Sequence, residues 1–291
     1  MGGAVCPVTA AVSVGGVAIA ATMAWKSEQK PTAARFASVS ALVFAGQMVN
    51  FPVLSGTSGH LLGGVLAAAL LGAPFAVLAI SLVLTLQCLV FADGGLAVLG
   101  ANVLNMAVLG AGVGGLIWQR LSNASPTRPL ATLGLAAWCS VVLASFACSI
   151  ELAVAGTIPF SRVLPAMLGM HALIGIGEAA MTVAVMSLVT SPESASSERR
   201  PVFILSLSAA LIALLIAPFA CTWPDGLESV SSTLHFIHQS APTFAAPLRE
   251  YTIPAIANGP LSSSLAGIIG VTLAFLAAWG LAKTWQRCPA K

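Results

Sequence analysis

Few side chains in this 291-residue chain can do chemistry: four histidines, nine acids and six cysteines, in a sequence 58% apolar and only 7% charged. His60 follows the small polar run Ser55-Gly-Thr-Ser-Gly59 and precedes an apolar helix. There the positive end of the helix dipole disfavours imidazolium, and a neutral imidazole is a good ligand for nickel, cobalt, copper or zinc. The alternative is a hydrogen-bonded core histidine. His171 and Glu178 stand seven residues apart, hence on one helical face, as a structural pair, a ligand pair or a proton relay. Asp93, in Phe91-Ala-Asp-Gly-Gly95, either caps the next helix or acts directly. Gln47, Asn50 and Ser58 flank His60. Asn102 and Asn105 suit hydrogen bonding between helices, and Glu151 closes the set of polar groups in apolar surroundings. His235 and His238, three apart, fit a solvated loop helix better than replacement ligands.

The elements that must position these residues follow from the composition. A soluble surface needs roughly a quarter of its residues charged, so the chain is an all-α integral membrane protein in contact with the lipid bilayer. Its basic surplus, 12 against 9, is too small for a nucleic-acid surface. On a ruler of about 20 apolar residues per crossing, nine spans fall near 4–25, 36–53, 61–73, 75–92, 96–118, 131–154, 164–188, 202–222 and 264–282. The third covers only about 20 Å at about 1.5 Å per residue, so residues 51–60 are expected to dip back into the protein. Residues 1–25 lack a basic leader and read as a retained first span, not a signal peptide. The cysteines, Cys6, Cys88, Cys139, Cys148, Cys221 and Cys288, show no paired spacing and read as small hydrophobes.

Ten of the twelve basic residues lie in connections on one side: Lys26, Lys30, Arg35, Arg120, Arg128, Arg199, Arg200, Lys283, Arg287 and Lys291. The positive-inside rule makes that side cytoplasmic, with the amino terminus outside and the carboxyl terminus inside. Seven spans (7 + 2 in all) with short connections occupy residues 1–190. A charged, small-residue linker follows at 191–201, and residues 202–291 hold two spans around an outside loop, 223–263. No 20–50-residue repeat is visible. On this topology Gln47, Asn50, His60, Asp93, Asn102, Asn105, Glu151, His171 and Glu178 gather toward the outer half, as a pocket open to the outside requires.

Gln47-Met-Val-Asn-Phe-Pro-Val53, Gly56-Thr-Ser-Gly-His-Leu-Leu-Gly-Gly64, Phe91-Ala-Asp-Gly-Gly-Leu96, Gly100-Ala-Asn-Val-Leu-Asn-Met106 and Gly169-Met-His-Ala-Leu-Ile-Gly-Ile-Gly-Glu-Ala179 occur in a specific order. In these motifs the chain resembles the CbiM/NikM substrate-binding component of energy-coupling factor (ECF) transporters for cobalt and nickel. Pro224-Asp-Gly-Leu-Glu228, Pro247-Leu-Arg-Glu-Tyr-Thr252 and Leu265-Ala-Gly-Ile-Ile-Gly270 are similar to the small NikN/CbiN-type (PDGLE) accessory subunit, here fused on. The resemblance implies that Ni2+ or Co2+ is the transported substrate. It also implies that the ligands are an amino-terminal Met-His, through its amine, backbone nitrogen and imidazole, together with the position of His60. Gln47, Asn50, Ser58, Asp93, Asn102, Asn105, His171 and Glu178 would orient the ligand loop or serve the fold. ECF ATPase subunits and a CbiQ/NikQ-like transmembrane coupling subunit are the implied partners, in a bacterial cell membrane.

The sequence as given begins Met1-Gly-Gly-Ala-Val-Cys-Pro7, without the family's Met-His. The expectation is that the natural start lies upstream; the alternatives are a different metal site or a scaffold that has lost metal binding. An intramembrane zinc enzyme using His60, His171 and Glu178 is the competing class, but HExxH and GxSxG are both absent.

Overall fold

Away from water, every backbone N–H and C=O must find a partner within the protein, so long uncharged apolar runs fold as helices. The computed structural model describes residues 3–54, 56–190, 199–236 and 244–286. Its helices are α1 (Val5–Lys26), α2 (Ala33–Gln47), α3 (Gly64–Leu71), α4 (Ala73–Phe91), α5 (Leu96–Ala124), α6 (Pro129–Val154), α7 (Phe160–Val189), α8 (Arg199–Phe219), α9 (Gly226–Thr233) and α10 (Gly259–Gln286). Seven of them, all but α2, α3 and α9, are long and apolar enough to cross a membrane. Most of the linker, residues 191–198, lies outside the described residues.

The second and third sequence-derived spans are shorter than expected. The helix begun near residue 36 ends at Gln47 after 15 residues, about 22 Å, and α3 has eight residues, about 12 Å. Between them the chain leaves the helical path and forms a two-residue antiparallel hairpin, β1 (Phe51–Pro52) and β2 (Ser58–Gly59), with Phe51 opposite Gly59 and Pro52 opposite Ser58. Thr57, Ser58 and Gly59 are buried. Non-helical backbone is tolerated here because its polar groups are paired: Val53 N–H donates to the Thr57 carbonyl at 2.8 Å, and Thr57 N–H to that of Leu54 at 3.1 Å.

Helix α2 is the centre of the core. Its residues from Phe36 to Ala45 are all buried, with α3 and α4 on one side and α8 and α10 on the other. Phe36 and Phe75 close on the Trp285 ring at 5.0 and 5.5 Å, and the Ser38 and Ser206 hydroxyls are hydrogen-bonded at 2.8 Å. Lipid gives helices no hydrophobic reason to associate, so close packing across small residues does it. On α10, Gly267 admits Met48 and Gly270 lies directly against Phe44 and Phe91.

The remaining helices frame this centre. Helices α6 and α7 form an antiparallel pair in which Trp138 Nε1–H donates to the Ala172 carbonyl at 2.9 Å. Helix α1 crosses α5, where the Ser13 hydroxyl donates to the Gly100 carbonyl at 2.6 Å. Three stretches wind as wide π turns, Gln87–Phe91 at the end of α4, Val103–Val113 within α5 and Ile212–Ile216 within α8. Such turns redirect side chains at functional sites. None of the five described cysteines forms a disulfide.

Gly64, at the start of α3, meets backbone: a Cβ there would stand 2.8 Å from the carbonyl carbon of Gly110 and from Ala111 N. Backbone cannot rotate away, so Gly64→Ala is expected to lower stability by about 1–3 kcal/mol. Gly280→Ala, with nothing within 4 Å, is expected to be near neutral, both read by thermal unfolding in detergent.

Candidate metal site

The histidine singled out by sequence sits where hairpin β1–β2 runs into α3. It is half-buried, and its Nδ1 lies 3.1 Å from the Leu61 carbonyl oxygen. A carbonyl only accepts, so Nδ1 carries the proton in that hydrogen bond, and a neutral ring in this tautomer has its lone pair on Nε2. That is the form in which imidazole binds a metal.

Two polar side chains hold the loop behind it. The fully buried Glu178 carboxylate, on α7, accepts Leu62 N–H at 2.6 Å on Oε2 and Gly63 N–H at 2.9 Å on Oε1. From α2, the Gln47 side-chain amide donates to the Leu62 carbonyl at 2.9 Å. Gly63 takes a left-handed φ of 74°, open to glycine at little steric cost, and so turns the loop into α3. Gly59 lies flat on Ile174, where a Cβ would come within 2.7 Å of Cγ2.

The second module closes over the hairpin. The Ser58 hydroxyl donates to the Trp223 carbonyl at 2.7 Å, and Ser58 N–H to that of Pro224 at 2.8 Å. The Thr57 and Ser229 hydroxyls are hydrogen-bonded at 2.7 Å, and Cys221 N–H donates to the Asn50 carbonyl at 2.8 Å. The Pro224–Glu228 motif is itself a capping box: Glu228 N–H donates to Asp225 at 2.8 Å and Asp225 N–H to Glu228 at 3.2 Å, starting α9. His171 donates through Nδ1 to the Met167 carbonyl at 2.9 Å and packs its Nε2 edge against Gly226, where a Cβ would be 3.1 Å away.

A second clasp lies at the end of α4. The Tyr251 hydroxyl donates to Asp93 at 2.6 Å, its ring stacks on Phe91 at 4.6 Å, and Leu248 N–H donates to the Val90 carbonyl at 2.9 Å. Burial first, then the Asp93 charge and its hydrogen bond, hold the Tyr251 phenol well above its usual pKa of 10.

The polar residues read from sequence thus divide among several tasks. Gln47 and Glu178 hold the His60 loop, while Ser58 and the Asn50 carbonyl receive the second module. Asp93 does not cap the next helix; it binds Tyr251. Asn105 pairs with Glu151 at 2.9 Å, and Asn102 lies beside Gly94. His171 and Glu178 are not bonded to each other, each being engaged elsewhere. His235 is exposed with φ 55°, and His238 lies outside the described residues.

Among the described residues no group of three or more His, Cys, Asp and Glu side chains is set to hold a metal. Glu178, with both oxygens on backbone N–H groups, is not placed to act as a base with His60. Tyr251 and the Asp225–Glu228 box went unassigned in the sequence. The D-x-x-E spacing of a capping box was the available signal for the latter, whereas nothing local marks the former.

A helical membrane bundle enclosing a non-helical, histidine-bearing loop defines a multi-pass membrane protein. Its kinship is specific: residues 1–196 match the model of the cobalt uptake substrate-specific transmembrane region (CbiM) and residues 199–287 that of the PDGLE domain, and the chain belongs to the CbiM family. It is 33% identical over 258 residues to a protein of Archaeoglobus fulgidus provisionally named fused nickel transport protein NikMN, covering 85% of each chain. To the fused nickel transport protein NikMN of Rhodobacter capsulatus it is 29% identical, over 81% of this chain and 82% of that one. A crystal structure described as a transition metal transporter superposes with a TM-score of 0.58 at 28% identity, over 69% of this chain and 94% of the other.

Replacing Glu178 by alanine orphans two buried N–H groups. At about 1–3 kcal/mol each, Glu178→Ala is expected to lose about 2–6 kcal/mol of stability in denaturant unfolding. Tyr251 is the only tyrosine in the chain, so its titration can be read directly. Because its folded pKa is raised, its contribution is complete below about pH 10 and is lost as pH climbs through the raised value. Tyrosinate absorbance is expected to appear only above pH 10, and at lower pH in Asp93→Asn than in the unsubstituted chain.

Proposed function

We propose that this chain, a membrane component of nickel or cobalt transport, is the ion-binding subunit of an ECF-type transporter and takes up Ni2+ or Co2+ from outside the cell. The observation that carries the reading is the His60 loop. Glu178 and Gln47 hold its backbone while the imidazole keeps a free Nε2, within a motif order shared with the family. In this reading His60 Nε2 is one ligand, and nitrogen atoms of the amino-terminal segment complete a nitrogen-rich set suited to nickel. Gln47 and Glu178 orient the loop directly, and Ser58 and Asn50 do so through the second module.

The nine-crossing, amino-terminus-outside topology in the plasma membrane belongs to the same proposal. It is supported by ten basic residues sharing one side, with α2, the hairpin and α3 completing the two crossings that are short of a full helix. Residues 1–190 form the binding module and 202–291 the fused accessory module, joined by the cytoplasmic linker 191–201. Energy is supplied by separate ECF ATPase subunits through a CbiQ/NikQ-like coupling subunit, since no nucleotide-binding motif is present in the chain.

His60→Ala, expressed with those partner subunits, is expected to abolish uptake of radioactive nickel and cobalt. His235→Ala is expected to leave uptake unchanged. Wild-type uptake by His60→Ala would remove His60 from the site.

A further inference from the structure

Glu151 and Asn105 meet in the interior between α6 and α5, 7% and 8% exposed. Asn105 Nδ2 donates to Glu151 Oε2 at 2.9 Å, whereas the other oxygen of each group, Glu151 Oε1 and Asn105 Oδ1, is buried without a hydrogen-bond partner. Neighbouring acceptors that share no donor are costly inside a membrane protein. The ion pair found among the described residues, Arg249 with Glu250, is elsewhere.

Glu178 provides the internal comparison. Buried in the same bundle, it has an N–H on each oxygen and needs no further donor. Glu151 has one N–H for two oxygens, and its partner has an acceptor to spare.

We infer that Glu151 is a proton-binding site: it carries a proton on Oε1 and donates it to Asn105 Oδ1, while Oε2 accepts the Asn105 amide. This is the reciprocal two-bond pairing of a carboxylic acid with a primary amide, and one proton supplies the one donor the pair lacks. A metal ion between the two oxygens is the other way to satisfy them. Hard cations demand about six oxygens or more, and among the described residues no group of three or more acidic, histidine and cysteine side chains is set to hold a metal. Asn105 lies in the π-wound stretch of α5, so the proton-bound pair ties the irregular part of that helix to α6 three residues before α6 ends. Cys148, one turn earlier on α6, is the titratable neighbour within electrostatic reach of Glu151. The site is separate from the His60 loop and does not rest on metal binding there.

Infrared difference spectroscopy of the full chain at neutral pH, wild type minus Glu151→Gln, tests this. The expected result is a protonated-carboxyl stretch present in wild type, shifted in D2O and lost in the variant. Glutamine reproduces both hydrogen bonds, so the variant is expected to keep the wild-type thermal midpoint, unlike Glu151→Leu. Should Glu151→Gln fail to fold, Asn105→Ala gives the same test, because an acid deprived of its acceptor moves its stretch to higher wavenumber. Loss of carboxylate bands in place of the carboxyl band, or an unmoved carboxyl stretch in Asn105→Ala, overturns the proposal.

Discussion

Two backbone N–H groups, of Leu62 and Gly63, end on the carboxylate of Glu178, and much of the molecule is arranged so that they do. A stretch of non-helical chain inside a helical bundle must find partners for every peptide group, because lipid offers none. One carboxyl oxygen for each N–H holds the chain at the point where a hairpin becomes a helix. With that point held, α3 starts on Gly63, Gly64 can lie against the backbone of α5, and His60 is presented with its Nδ1 on the neighbouring carbonyl. The hairpin, in turn, offers Thr57 and Ser58 to the second module.

The fused module is more than an appendage. Helices α8 and α10 cover one side of α2, and the segment between them is bound at two places, over Asn50–Ser58 and on Asp93. The first contact is largely made by backbone carbonyls of 223–224 accepting from Ser58, so it depends on the path of the chain more than on side-chain identity there. The second concentrates on one residue, Tyr251, whose ring fills the space above Phe91 and whose hydroxyl reaches a carboxylate. Together they seat the Asp225–Gly226 turn beside His171 and the mouth of the histidine loop. Covalent fusion keeps such a cover near its seat at high effective concentration.

Part of the site was legible in the sequence and part was not. The short apolar run after His60 already implied that residues 51–60 turn back into the protein, since eight to thirteen residues cannot cross a bilayer. Hydrophobicity alone did not place the end of α2 at Gln47, because residues 48–53 are as apolar as the helix before them. What ends it is the hairpin, whose pairing partners lie six and eight residues further on, and beyond them the carbonyl of Pro224. His171 and Glu178 were correctly placed on one helix, but their spacing carried no information about their partners. Glu178 bonds to a loop 115 and 116 residues away, and His171 abuts a glycine in the other module.

By itself the sequence determined what depends on composition and local order: an all-helical membrane chain, two modules, and a histidine set in a glycine-rich turn. Transfer of apolar side chains out of water and the intolerance of lipid for unpaired peptide groups act on contiguous residues, so their outcome can be read from contiguous residues. Only the tertiary structure decided that Glu178 serves the His60 backbone, that Asp93 receives Tyr251, and that Glu151 faces Asn105 with an acceptor unfilled on each side. Hydrogen bonds are short and directional, and which donor reaches which acceptor is settled only when helices distant in sequence have packed.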